Sequence, residues 1–154
     1  MKLDLGCGNN KHEGFIGIDK VKYPCVDIVY DLNNLPYPFK DDSVDEIIAH
    51  NILEHLECPY RAVKEWIRIS KHRAMWSVRF PNPNHPNAWR DPDHKYILSP
   101  EFFTRFEELK IIKVEKHLIP APRLFGIIPR RFLFGLVPKY TFDEWRLKIM
   151  VWKR

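Results

Sequence analysis

A chain of 154 residues with 45% hydrophobic side chains and three cysteines has the size and apolar content of one domain with a real core, and needs no disulfide framework to fold. Its net charge of +5 is uneven: residues 1–104 carry 13 Lys and Arg against 15 Asp and Glu, whereas residues 105–154 carry 12 against 5, so any anionic partner is expected at the C-terminal third. No apolar run reaches the roughly 20 residues of a bilayer span, no charged-then-apolar leader precedes the first strand, and Cys7, Cys25 and Cys58 are odd in number. A reducing cytoplasm is the compartment these features lead one to expect.

Strands are predicted at 2–5, 15–19, 27–31, 45–50, 74–80, 110–117 and 145–152. The first, Leu3-Asp4-Leu5, runs into Gly6-Cys7-Gly8-Asn9-Asn10, and the second, Phe15 to Ile18, closes on Asp19. Only Asn9 to Glu13 separate the glycine turn from the second strand, which leaves no room for a helix of ten or more residues. Between the fourth and fifth strands, Tyr60, Val63, Trp66 and Ile67 recur at helical spacing behind Pro59, a residue suited to the first turn, so a helix is expected over 59–71. Asn82 to Tyr96 reads as a polar loop with aromatic punctuation. Ser99-Pro100-Glu101, followed by Phe102, Phe103 and Phe106, reads as an N-cap, a first-turn proline and a short helix. Pro120, Pro122, Pro129 and Pro138 break the apolar, basic stretch 118–139 into, at most, two short amphipathic pieces. In the last strand Trp145, Leu147, Ile149 and Val151 alternate with Arg146 and Lys148, the period of a strand with one face buried.

A strand, a glycine turn and a second strand ending in an acid is how open α/β sheets hold an adenosine-type cofactor at their carboxyl ends. Here Asp4 stands on the first strand, two residues before Gly6. A carboxylate there repels a pyrophosphate but attracts a ligand carrying an ammonium and a sulfonium, so S-adenosylmethionine is the expected cofactor.

The motifs Leu3 to Gly8, Asp19, Asp31-Leu32 with Leu35-Pro36-Tyr37, Ser43 to Ile47, and Leu53-Glu54-His55-Leu56 occur in this order over about residues 1–80. Together they resemble the class I S-adenosylmethionine-dependent methyltransferases, most closely the small methyltransferase domains of type 11. The resemblance implies an α/β, Rossmann-like fold in one domain, 1–154: a seven-stranded, mostly parallel sheet with an antiparallel last strand, helices on both faces and a shortened first helix. Residues 1–80 would form the cofactor-binding half, and 81–154 the substrate-side loop, a cap segment and the last two strands. It further implies that Gly6 and Gly8 let the backbone approach the methionine part of the cofactor, that Asp4 faces its ammonium group and that Asp19 accepts from the ribose hydroxyls. Asp31 with the Leu32 backbone would read the adenine edge, and His50 and Asn51 would lie under the methyl-donor end. The family's third glycine is replaced by Asn10, the residue type that best tolerates a left-handed backbone. An N-terminal helix that elsewhere covers the substrate has no counterpart before the first strand.

The loops after the fifth strand should line the acceptor site. There Asp91-Pro92-Asp93-His94, followed by Ser99 to Phe103, resembles a pattern placed near the substrate in some small methyltransferases. His94 with Asp91 is the candidate general base for an oxygen or nitrogen nucleophile, against a plain surface loop pinned by prolines. His55 is expected to orient a loop or cap the next helix. His50, His55, Cys58 and Cys7 match no paired ligand spacing, so no metal is expected. The expected activity is methyl transfer to an O or N of a small or lipid-linked acceptor, with nucleic acid not expected as a partner. Segment 118–139 would serve as a lid or homodimer interface, or alternatively touch a lipid-like substrate or the membrane surface. A cofactor-binding but inactive partner subunit is the rival reading. A nicotinamide-dependent dehydrogenase is weaker, because Lys11 holds its third glycine place.

Overall fold

The computed structural model describes residues 1–120 and 140–153. Seven strands form one sheet: β1 (Lys2–Leu5), β2 (Ile16–Asp19), β3 (Ile28–Val29), β4 (Val44–His50), β5 (Ser70–Pro81), β6 (Leu109–Pro120) and β7 (Tyr140–Val151). Their order is β3-β2-β1-β4-β5-β7-β6. The pairs from β3 through β5 are parallel, and β7 lies antiparallel between β5 and β6. This is the expected sheet, with its last strand inserted as the resemblance implied. The chain runs outward from β1 to β3 and returns to β4 on the other side of β1, which places a switch point, and hence a crevice, beyond the carboxyl ends of β1 and β4.

Burial explains which residues build the core. Along β5, Ala74, Trp76, Val78 and Phe80 are buried while Met75, Ser77 and Arg79 between them are half-buried. Helix α1 (Pro59–Ile69) starts on Pro59 and buries Val63, Trp66 and Ile67, the stripe anticipated from spacing. Trp66 meets Trp76 edge-to-face at 5.7 Å, a geometry that adds about 1 kcal/mol to the burial of two indoles. Phe103, from a 3-10 stretch (Pro100–Arg105), stacks near Phe80 at 6.2 Å. Trp76 and Phe80 share one face of β5, so α1 and the 3-10 stretch cover the same side of the sheet.

The opposite side differs from expectation. Among the described residues the only other α-helix is α2 (Asn87–Arg90), a single turn, and the β1–β2 and β2–β3 connections hold no helix. Among the described residues a helical layer is seen on one face, and the β1–β2 and β2–β3 connections, ten residues or fewer, are too short to both turn and cross with a helix. The strand positions Ser77, Arg79, Arg146 and Lys148 lie on the other face, paired across β5 and β7, the first three half-buried and Lys148 exposed.

Three smaller differences have local causes. β5 begins at Ser70 rather than 74, because it absorbs a bulge opposite Val44–Glu46 in which Arg73 takes φ 66. Pro100–Arg105 is 3-10 rather than α, and the Ser99 side chain makes no cap bond to the backbone; it bonds the Glu101 carboxylate instead and lowers its proton affinity. β6 runs on to Pro120, and the remainder of the proline-broken segment, 121–139, lies outside the described residues. Among the described residues no helix is long and apolar enough to cross a membrane.

The long β3–β4 connection is pinned to α1 by one buried acid. Glu65 accepts from the Tyr37 backbone N–H at 2.6 Å and from Arg68 Nε at 2.9 Å, while Arg68 Nη2 also donates to the carbonyls of Tyr37 and Phe39. The guanidinium holds the Glu65 carboxyl below its ordinary range.

Candidate functional site

The turn after β1 is shaped by two glycines in left-handed conformation, Gly6 at φ 69 and Gly8 at φ 54. Gly6 and Cys7 donate their N–H groups to the Ile18 carbonyl at 2.8 and 3.1 Å, which ties the turn to β2. A Cβ on Gly6 would meet Ile52 side-chain atoms at 2.5 to 2.8 Å, whereas nothing lies within 4 Å of one on Gly8. The first glycine is required by packing and the second leaves open space above the turn. Asn10 does not take up the left-handed conformation foreseen for it; the third glycine with positive φ is Gly14, at φ 79.

Asp4, Gly6, Gly8 and Asp19 come together around this turn. Asp19 Oδ2 accepts from Gly8 N–H at 2.9 Å and Oδ1 from Val21 N–H at 2.9 Å, so both oxygens are oriented by backbone while each retains a lone pair for a ligand hydroxyl. Asp4, only 3% exposed, accepts from His12 N–H and faces His12 Nδ1, both at 2.8 Å. Asp31 Oδ1 accepts from the Asn33 backbone and side chain at 2.9 and 3.0 Å beside buried Leu32. The His50 ring stands 5.1 Å from that of His12 and its Nε2 lies 3.1 Å from Ser77 Oγ. Burial first, then the charges of Arg79 and His12, push its pKa down to about 3, so the ring is neutral. Asn51 takes φ 51 and donates its N–H to the Arg79 carbonyl at 3.0 Å. The Cys7 thiol, pushed up to about 11 by burial and the charges of Asp4 and Asp19, is no nucleophile. Open space over Gly8, oriented acceptor oxygens on Asp19 and the buried Asp4 carboxylate fit a nucleoside bearing positive charge.

A second concavity, about 710 Å³, opens beside Asn51 and is lined by Glu54, His55, Pro81, Arg90, Asp91, Pro92, His94 and Glu144. It exists because the 82–96 loop folds back on the β4–α1 connection, where the N–H groups of Lys95 and Tyr96 both donate to the Glu54 carbonyl, at 2.9 and 3.2 Å. His94 and Asp91, the expected pair, both line this cavity. His94 Nδ1 lies 3.1 Å from the Ala88 carbonyl; a carbonyl only accepts, so Nδ1 carries the proton and Nε2 the lone pair. Asp91 Oδ2 is 3.7 Å from that same Nε2, on the opposite side of the ring from the Ala88 carbonyl contact.

Sequence reasoning gave no site role to Glu54, Arg90 or Glu144, and gave His55 only that of orienting a loop or capping the next helix. Glu54 is 1% exposed, and neither carboxylate oxygen has a hydrogen-bond partner. Burial, reinforced by the charges of Asp91 and Glu144, pushes its pKa up to about 7. His55 stacks edge-on with His94 at 4.7 Å, its Nδ1 3.2 Å from the Asp93 carbonyl. The signal in the sequence was an acid and a histidine set between two leucines, Leu53 and Leu56, where a charged side chain is carried inward.

Residues 12–76 match the family model described as a methyltransferase domain. No curated protein matches the chain. Among solved structures, the YcgJ protein of Bacillus subtilis is similar with TM-score 0.67 and 18% identity, over 99% of this chain and 92% of that one. A SAM-dependent methyltransferase from Archaeoglobus fulgidus follows at 0.64 and 19%, over 97% and 85%. The [4+2]-cyclase SpnF is similar at 0.66 and 17%, over 99% and 74%. At these identities the likeness is one of fold.

Proposed function

We propose that the chain, whose residues 12–76 match the methyltransferase-domain model, is a class I S-adenosylmethionine-dependent methyltransferase that transfers the methyl group to an oxygen or nitrogen of a small or lipid-linked acceptor seated in the 710 Å³ cavity. The observation that carries this reading is the single short segment 51–55. Ile52 packs against Gly6 of the cofactor turn, while Asn51, Glu54 and His55 line the cavity. Donor and acceptor chambers thus share one wall. S-adenosylmethionine supplies an already activated methyl, so the chain's task is alignment and exclusion of water.

In this reading Gly6 and Gly8 admit the methionine part, Asp4 faces its ammonium, Asp19 takes the ribose hydroxyls, Asp31 with the Leu32 backbone meets the adenine, and His50 and Asn51 close the methyl end. His94 Nε2 accepts the acceptor's proton and Asp91 stabilises the resulting imidazolium. The acceptor chamber draws on both sides of residue 80, since Asn51, Glu54 and His55 join the later loop. Calorimetric titration with S-adenosylhomocysteine should show one site, and methyl release across a panel of hydroxyl and amine metabolites and lipids should identify the acceptor. Absence of binding would remove the reading. Binding with no turnover on any acceptor would favour a partner subunit.

A further inference from the structure

The floor of the acceptor cavity has the makings of a metal centre. One ligand atom from each of Glu54, His55 and His94 can be chosen so that all three lie within 4.8 Å of one another. Around a tetrahedral ion with bonds of about 2.1 Å the ligand atoms stand about 3.4 Å apart, so the three must draw in by somewhat more than an ångström at most on binding. The rings are already committed in the sense a metal needs. Both Nδ1 atoms face backbone carbonyls, of Asp93 and of Ala88, so each ring presents its Nε2 lone pair, and the carbonyls act as the outer contacts that fix a ligating imidazole. The second, independent observation is Glu54 itself. It is 99% buried, carries two oxygens without any partner, and sits among Asp91 and Glu144 as fellow cavity residues. A buried carboxylate in that setting is costly unless a cation or donors meet it. Arg90, the one Lys or Arg among the described residues lining the cavity, is not paired with it, and Glu144 is taken by Arg146 Nε at 2.5 Å.

We infer that Glu54, His55 and His94 bind a first-row divalent transition-metal ion, Zn2+ or Fe2+, at the acceptor end of the site. Two imidazoles and one carboxylate suit these borderline ions better than Mg2+ or Ca2+, and three protein ligands leave positions open to an acceptor oxygen. The inference rests on reading the cavity as the acceptor chamber and refines it. With the ion bound, His94 Nε2 is a ligand rather than the base. The acceptor hydroxyl, coordinated to the ion, gives its proton to water, its oxygen forms the new bond to the methyl carbon, and the sulfonium bond breaks with its electron pair returning to sulfur.

The test is titration of metal-stripped protein with Co2+, followed by its visible ligand-field absorption, and with Zn2+ by calorimetry. One equivalent should bind, and Glu54→Gln and His94→Asn should each weaken binding about tenfold or more, while Cys25→Ser and Cys58→Ser leave it unchanged. Circular dichroism identifies any variant that fails to fold, and the isosteric Glu54→Gln is the deciding one. Lack of a stoichiometric site, or full affinity retained in Glu54→Gln, overturns the inference. S-adenosylhomocysteine is titrated into the same samples: metal binding without nucleoside binding sinks the methyltransferase reading and spares the metal site, and the converse does the opposite.

Discussion

Gly6→Ala tests the claim that the cofactor turn is shaped by packing against Ile52. The substitution has two separable costs. An alanine at φ 69 pays about 1 to 2 kcal/mol for the left-handed backbone. Its Cβ would also stand 2.5 Å from Ile52 Cγ1, 2.7 Å from Cδ1 and 2.8 Å from Cβ, and overpacking of this kind costs about 1 to 3 kcal/mol. Together these predict a loss of about 3 kcal/mol in urea unfolding. Ile52→Ala removes Cγ1 and Cδ1 but neither Cβ nor the backbone constraint, so the double variant should recover about 1 to 2 kcal/mol relative to the sum of the singles. S-adenosylhomocysteine affinity should fall in Gly6→Ala and return only partly in the double variant, because the φ penalty persists. A loss below 1 kcal/mol for Gly6→Ala, or strict additivity with Ile52→Ala, would refute this account of the turn.

Three other outcomes are expected. His50 is held neutral, with its pKa near 3 against an ordinary 6.5, so the unfolded chain binds the extra proton between these values; the stability it contributes is complete above pH 6.5 and is lost as pH falls toward 3. Unfolding at pH 7.5 and 5.0 should therefore show His50→Gln losing about 1 to 2 kcal/mol less than the parent on acidification, after discounting for partial solvent screening, and identical losses would contradict it. Asp19→Asn, which puts an amide where the Gly8 N–H and the ribose compete for oxygen, should weaken S-adenosylhomocysteine about tenfold by calorimetry while changing unfolding much less. Arg68→Met leaves the mostly buried Glu65 without its guanidinium and should cost about 2 to 3 kcal/mol, with a melting temperature that improves as Glu65 is protonated at low pH.

The strands were legible because their signals are local. Trp76, Val78 and Phe80 alternate with Ser77 and Arg79, and no tertiary contact is needed to see a pleat with one wet face. The same alternation in β7, Leu147 and Ile149 against Arg146 and Lys148, already stated that one side of this sheet carries charge. A helical layer on both faces was inferred from the family, and the two statements conflict: a face bearing Arg79, Arg146 and Lys148 has little apolar area with which to hold a helix. Among the described residues the strand pattern prevails, and the β1–β2 and β2–β3 connections are too short to supply that layer.

The acceptor site was legible only in half, for a reason of distance along the chain. Asp91 and His94 are three residues apart and declare themselves as a pair. Glu54 and His55 belong to a different loop, and nothing local says that the N–H groups of Lys95 and Tyr96 will close onto the Glu54 carbonyl and bring the two histidine rings to 4.7 Å. Spacing rules for metal ligands assume that pairs come from one turn or one hairpin. Here each loop contributes its own fragment, and the cost that reveals the combination is a carboxylate buried with both oxygens unmet, a quantity that exists only after folding. His55, taken from sequence as a residue that orients a loop, does meet the Asp93 carbonyl, yet that same contact turns its Nε2 into an available ligand. A structural contact and a chemical role are thus carried by opposite nitrogens of one ring.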